Sequence, residues 1–323
     1  MSPLRSAIWI APKRNWRGRA TRWTPSVAAD ITRQDMTRTS HAVVVGSLHY
    51  DIVVKAPHRP AAGETVTGSR WHPAFGGKGG NQAVAIVTAG VPCRMVAALG
   101  DDDFGSFLLR HLEARQVDTT YVETLSDSGS GMSVAIMDAS GDYGAVIVSG
   151  SNLRIDPATL DQDELWQDAS LLVLQNEVLE SLNIAAARAA RTRNIQVVLN
   201  AAPARPISDE MAGLVDILVV NAGEAEALCD ISVENLGSAR HAAAALASRF
   251  RIVVVTAGGA GVAVAGTEGA HSEPSHKVKL VSTHGAGDCF IGTMVASLAR
   301  GVSLASSVAE ANLAAARHVS AEK

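Results

Sequence analysis

The sequence has no apolar run approaching the ~20 residues that a membrane-spanning helix requires, and no apolar stretch of a secretory leader near its start. It has only three cysteines, Cys93, Cys229 and Cys289, too widely separated for metal-ligand spacing and too few for a disulfide framework. That usage suits a reducing cytoplasm, with all three expected as buried small hydrophobes. There is no marked excess of one charge: 28 Lys and Arg against 32 Asp and Glu give a net of −4, so nothing global points to nucleic acid or an anionic membrane. The Lys-containing glycine cluster, Gly76-Gly77-Lys78-Gly79-Gly80, is not a GxxxxGK[ST] phosphate loop, because no Ser or Thr follows Lys78. Nor does it follow a buried strand, as a dinucleotide-binding GxGxxG turn would.

What is present is globular: 323 residues, 47% hydrophobic and 19% charged, enough for one large α/β domain or two smaller ones. Residues 1–40 differ from the rest. They hold eight Lys and Arg against Asp30 and Asp35, a net of +6, which leaves −10 for the remainder. Trp9, Trp16 and Trp23 also fall there. The expectation is a disordered extension, with Met36 a candidate start; a basic arm for an acidic partner is the alternative. Globular sequence begins at His41, and 41–323 reads as a single domain.

From His41 the chain alternates between short β-branched runs and helical stretches. Runs at 41–45, 94–99, 171–174, 196–199, 217–220 and 252–255 read as strands, most of them buried in a parallel sheet. Several end in polar or glycine residues: Gly46-Ser47, Gln175-Asn176-Glu177, Asn200, Asn221-Ala222-Gly223-Glu224 and Thr256-Ala257-Gly258-Gly259-Ala260-Gly261. In an open parallel sheet those carboxyl ends form one rim over a crevice. Asp101 to Asp103 read as a turn and helix cap rather than a metal site. Residues 131–149 alternate about Ala139-Ser140-Gly141-Asp142 and read as a hairpin. With the extended run at 51–75, loop-like over 56–75, they predict a small antiparallel sheet inserted into the α/β pattern. Four glycines within five positions at 76–80 predict close passage of a ligand past the backbone.

The stretch Ser282-Thr283-His284-Gly285-Ala286-Gly287-Asp288 follows an alternating run, Lys277 to Val281, and precedes a helical run, Phe290 to Arg300. It predicts strand, glycine turn and helix start, and a helix N-terminus is a ready anion site. Asp288 fits two roles there. It caps the helix, or it takes a proton from a hydroxyl about to attack a phosphoryl group.

Together, Gly76 to Asn81 and Gly285 to Asp288 resemble the paired signatures of the ribokinase-like (PfkB) carbohydrate kinases. These strand tips occur in that family's order from about His41 to Val319. The Asn200-Ala201-Ala202-Pro203-Ala204-Arg205 tip and the run from Gly76 to Ala83 are most similar to the ribokinases. The resemblance implies a three-layer fold with a central, mostly parallel sheet and a small β lid from about 49–77 and 128–150. It implies phosphoryl transfer from MgATP to a sugar hydroxyl, with D-ribose the first expectation. Alternatives are a nucleoside or pseudouridine kinase of the same fold, or an impaired protein that only binds sugar or nucleotide. By position, Asp288 would be the base, with the amides of Gly285, Ala286 and Gly287 as anion hole. His49, Asp51, Gly77, Lys78, Asn81 and Glu177 would hold the sugar. Asn221, Thr256, Gly258, Gly261 and Gly287 would line the nucleotide, and Glu224 would organise Mg²⁺ through water. Dimerisation through the lid is also implied. In this sequence His49 stands where ribokinases carry Asn, and Ser282 where the family's monovalent-cation loop carries Asp, so K⁺ would be held weakly. The chain stops at Lys323, soon after its last helix, where ribokinases continue through a further loop.

Overall fold

The apolar runs become strands that are covered on both faces. β1 (His41–Val45), β4 (Cys93–Gly100), β8 (Ala169–Gln175), β9 (Gln196–Asn200), β10 (Ile217–Asn221) and β11 (Ile252–Thr256) are Val/Leu/Ile-rich because neither face meets water. The computed structural model describes residues 40–138 and 143–321, so the expectations for the basic extension and for the 139–142 turn lie outside the described residues. The main sheet has nine strands, ordered β13-β12-β11-β10-β9-β8-β1-β4-β5, with β5 at Asp118–Leu125. Neighbours from β11 through β5 pair parallel, whereas β12 (Gly261–Gly266) and β13 (Gly269–Pro274) close one edge antiparallel.

Alternation along each strand divides the core in two. Val43, Val45, Leu172 and Leu174 face one cluster, which takes α4 (Glu180–Arg191), α5 (Asp209–Leu214), α6 (Ala222–Cys229), α7 (Leu236–Leu246) and the short α3 (Asp163–Trp166). Ala42, Val44, Leu171 and Val173 face the other, covered by α1 (Lys78–Thr88), α2 (Asp103–Ala114), α8 (Ala286–Ala299) and α9 (Leu304–Ser320). The alanines of α4 and α7 pack as expected: Ala186, Ala187, Ala190, Ala242 and Ala243 are wholly buried.

A separate four-stranded sheet, ordered β3-β2-β6-β7, forms the lid: β2 His49–Lys55, β3 Arg70–Gly76, β6 Met132–Met137 and β7 Tyr143–Val148. Its two outer pairs are antiparallel, but β2 and β6 run parallel where the chain returns to the lid. Its root rests on α2. Tyr50 stacks on Phe104 with ring centroids 4.1 Å apart, and Phe75 stacks on His111 at 4.1 Å. Asp102 caps α2 through Gly105 N–H (2.7 Å) and also accepts from Ser130 N–H (2.8 Å) and Oγ (2.7 Å). The acidic run is therefore a turn and cap, as expected, and ties the second lid crossing to the body.

Three expectations need correction, and two strands arise where the sequence pattern predicts none. The 56–75 run is not all loop; β3 occupies its end, and Pro73 fits because β3 is an edge strand whose missing N–H breaks no ladder. Lys277 to Val281 is not a strand. β13 already takes the sheet edge, and Leu280 is 62% exposed with no strand beside it. The strands β12 and β13 lie in a stretch the sequence reading left unassigned. Of the cysteines only Cys93 is buried; Cys229 and Cys289 are half-buried.

Candidate active site

Asp288 lies in the first turn of α8, directly after the Gly285 cap, whose φ of 75° suits a glycine. Its Oδ1 accepts from Gln82 Nε2 at 3.0 Å. The same Gln82 amide donates to Asn200 Oδ1 at 3.1 Å, and Gln82 Oε1 accepts from Gln175 Nε2 at 2.9 Å. Gln82 is wholly buried, so this carboxamide chain fixes Asp288 from below through two strand tips and α1. Burial pushes the Asp288 carboxyl above the ordinary carboxylate range, while Lys78 and the Gln82 bond pull it back.

Lys78 opens α1, and its N–H donates to Glu177 Oε2 at 2.8 Å. Ser47 Oγ donates to the same oxygen at 2.5 Å, and His49 Nδ1 lies 3.8 Å from it. On the lid, Asp51 accepts from Ser133 Oγ at 2.5 Å, and burial again raises its pKa. His284 and Glu177 act on the carboxyls of both Asp51 and Asp288, and Glu177 itself touches the start of α1 and lies beside His49 at the lid root.

The glycines at 76–80 have protein neighbours. A Cβ on Gly79 would lie 2.6 Å from Ser47 N, and one on Gly77, where φ is 88°, 2.7 Å from His49 N. The cluster exists because α1 starts against the β1–β2 turn, a reason that needs no ligand. Gly287 differs: a Cβ there meets nothing within 4 Å, so its side of the helix start is open.

Along the rim, Asn221 and Glu224 form a reciprocal cap, Glu224 N–H to Asn221 Oδ1 and Asn221 N–H to Glu224 Oε2, both 2.9 Å. Burial raises the Glu224 carboxyl, with Lys78 and Asp288 as its charged neighbours. Asn221 pairs in register with Thr256, which begins the Gly258–Gly261 turn. Gly261 has φ 116°, and a Cβ there would lie 2.1 Å from Glu273 O. Asn81 sits in the first turn of α1, its N–H bonded to Gly77 O. Two members of the expected set are placed differently from a simple ligand shell. His49 is only 3% exposed, and its Nε2 is buried with no hydrogen-bond partner among the described residues. Ala286 N–H is turned to Thr283 O at 3.2 Å, so it is engaged within the loop.

Sequence reasoning did not assign roles to Gln82, Ser47, Ser133 or His284. Gln82 had one available signal: it lies one helical turn beyond Lys78, on the same face of α1. No cluster of three or more acidic, His or Cys groups able to hold a metal occurs among the described residues. A cavity of about 320 Å³ lies at the opposite rim; there Arg191 and Arg251 both pair with buried Asp216, a structural brace.

The family described as pfkB family carbohydrate kinase matches residues 39–323. Ribokinase of Bacillus subtilis (strain 168) is 34% identical over 278 residues, 85% of this chain and 92% of that protein. Ribokinase of Haemophilus influenzae is 33% identical over 258 residues, 79% of this chain and 84% of that protein. Among solved structures, Arabidopsis thaliana ribokinase complexed with ribose and ATP superposes with a TM-score of 0.81 at 26% identity, covering 88% of this chain and 94% of that one.

Proposed function

Since the chain belongs to the pfkB family of carbohydrate kinases, we propose that it transfers the γ-phosphoryl group of ATP to a hydroxyl of D-ribose, with residues 41–323 as the kinase domain. The observation that carries this reading is the run of contacts joining the lid root to α8: Glu177 Oε2 accepts from Lys78 N–H and Ser47 Oγ and lies 3.8 Å from His49 Nδ1, and Gln82, one turn beyond Lys78, holds Asp288 at the N-terminus of α8. Asp288 takes the proton of the attacking hydroxyl, and the Gln82 bond keeps its other oxygen available for that task. The Gly285 and Gly287 amides and the α8 dipole steady the travelling phosphoryl group, with Ala286 joining once its bond to Thr283 opens. Asp51, Lys78, Asn81 and Glu177 hold the acceptor, with Gly77 shaping the floor beneath it; Asn221, Thr256, Gly258 and Gly261 line the nucleotide. Mg²⁺ neutralises phosphate charge when bound. A lone carboxylate, Glu224, already half committed to its cap, fits an ion held mainly by phosphates and water. A coupled ADP-release screen of D-ribose, 2-deoxyribose, hexoses and nucleosides tests the proposal. Turnover fastest with a nucleoside would replace ribose by the alternative acceptor class.

His49 bears on how the acceptor is held. A buried nitrogen without a partner costs about 1–3 kcal/mol, and a sugar hydroxyl arriving beside it relieves that cost. His49→Leu is therefore expected to raise the KM for the acceptor about tenfold with little change in kcat, while the apo protein melts higher. A fall in kcat with unchanged KM would place His49 in the chemistry instead.

We also infer a homodimer through the lid and a cytoplasmic location, the latter resting on three cysteines of which none is in a disulfide. In register, Asp51 and Ser133 share one lid face, and Trp71, Ile52, Val54, Val134, Ile136, Val146 and Val148 share the other. Trp71 is 62% and Val146 69% exposed, an apolar face of the kind that associates. Val146→Asp is expected to convert dimer to monomer in sedimentation; an unchanged mass would refute the lid interface.

A further inference from the structure

The loop that precedes α8 is tied to the last turn of α9. Val281 N–H and Ser282 N–H both donate to Val319 O, at 2.8 and 3.2 Å, and so satisfy a carbonyl that the helix end leaves open. One residue back on α9, His318 Nε2 lies 2.9 Å from His284 O. A carbonyl only accepts, so Nε2 carries the hydrogen. The helix that presents it is itself anchored: Asn312 Nδ2 donates to Pro274 O on β13 at 2.8 Å.

A trans peptide is planar, with its C=O and N–H on opposite sides. Holding His284 O against α9 therefore aims Gly285 N–H away from α9, toward the open side of the helix start. Gly285 sits close enough to feel this contact: a Cβ on it would lie 3.2 Å from His318 Nε2. A loop-bound monovalent cation would need oxygens turned toward it. Here they are engaged: His284 O with His318, Val319 O with two amides, and Ser282 Oγ with His284 N–H at 3.3 Å. A neutral hydroxyl at 282 adds no charge to attract a cation. The residues present do not fit K⁺.

We propose that His318 stands in for a monovalent cation: its Nε2–H holds the His284–Gly285 peptide in the orientation that points an amide at the phosphoryl group. It is a positioning residue, and its role rests on the kinase reading above.

The test compares potassium dependence with three variants at constant ionic strength. Replacing choline chloride by KCl should leave both the melting temperature and the turnover of the full-length protein unchanged. A K⁺-specific rise in either would overturn the proposal. His318→Gln keeps a donor at the reach of Nε2 and should hold kcat within about threefold. His318→Phe keeps the ring without the donor and should lower kcat by about ten- to hundredfold, less than the loss of a whole oxyanion donor, with KM for the acceptor little changed. His318→Ala provides the same comparison should the phenylalanine fail to fold. Equal kcat in the Gln and the Phe or Ala variants would refute the role. Should the wild type release no ADP with any acceptor, the kinase reading fails separately, and the potassium melting comparison still decides whether the loop takes a cation.

Discussion

Asp288→Asn is expected to lower kcat by roughly 10²- to 10⁴-fold, the usual contribution of a positioned general base, while the affinity for the acceptor sugar stays within a few fold. The same variant should melt at a higher temperature. Asp288 is pushed up by burial beside Glu177, so its ionised form is costlier in the folded than in the unfolded chain. That penalty is present above the folded pKa and is relieved as pH falls through it. Asn removes it while keeping a carbonyl oxygen for Gln82 Nε2. The acid limb of the kcat/KM profile, which reports the free enzyme, follows the same sign: activity is lost as pH drops through a value above that of an exposed aspartate. Steady-state kinetics, calorimetric sugar binding and thermal melting check the three parts. Equal losses of binding and turnover, with a lower melting temperature, would make Asp288 a structural cap.

The contrast between turnover and stability explains which parts of this molecule were legible in sequence. Strands such as Ala42–Val45 and Val253–Val255 announce themselves because both of their faces are covered and every position is apolar. The rim could be read from what ends those strands, since Gln175, Asn200, Asn221 and Thr256 interrupt the apolar runs at matching points. β12 and β13 were silent because Gly261–Gly266 is built of small residues and Gly269–Pro274 shows no apolar alternation. Lys277 to Val281 misled for the opposite reason: alternation specifies a face, yet a strand also needs an unoccupied edge. The chain of carboxamides beneath Asp288 had no local trace, because Gln82 and Asp288 are 206 residues apart and meet only when α1 packs on α8. The glycines at 76–80 were legible as close passage, but the sequence could not say that the passing atoms belong to the β1–β2 turn and the start of β2.

Gly79→Val tests that close passage and should have the largest effect on stability. A Cβ at this position would lie 2.6 Å from Ser47 N and 2.7 Å from Gly46 C, both backbone atoms of a buried strand end that cannot swing aside. Overpacking of this kind costs about 1–3 kcal/mol, and relief comes only by moving the first turn of α1. At roughly 2–4 °C per kcal/mol for a chain of this size, the melting temperature should fall by several degrees. Activity should fall further than stability alone requires. Lys78, Asn81 and Gln82 ride on the displaced turn, and a shift of about 1 Å in a positioned group can cost about a hundredfold in rate. Gly213→Ala is the matched control: a Cβ there meets nothing within 4 Å, and an alanine inside α5 should be neutral or stabilise by up to about 1 kcal/mol. Loss of rate in Gly79→Val without a lower melting temperature would instead mean that this glycine is kept open for the ligand, as the sequence pattern predicts.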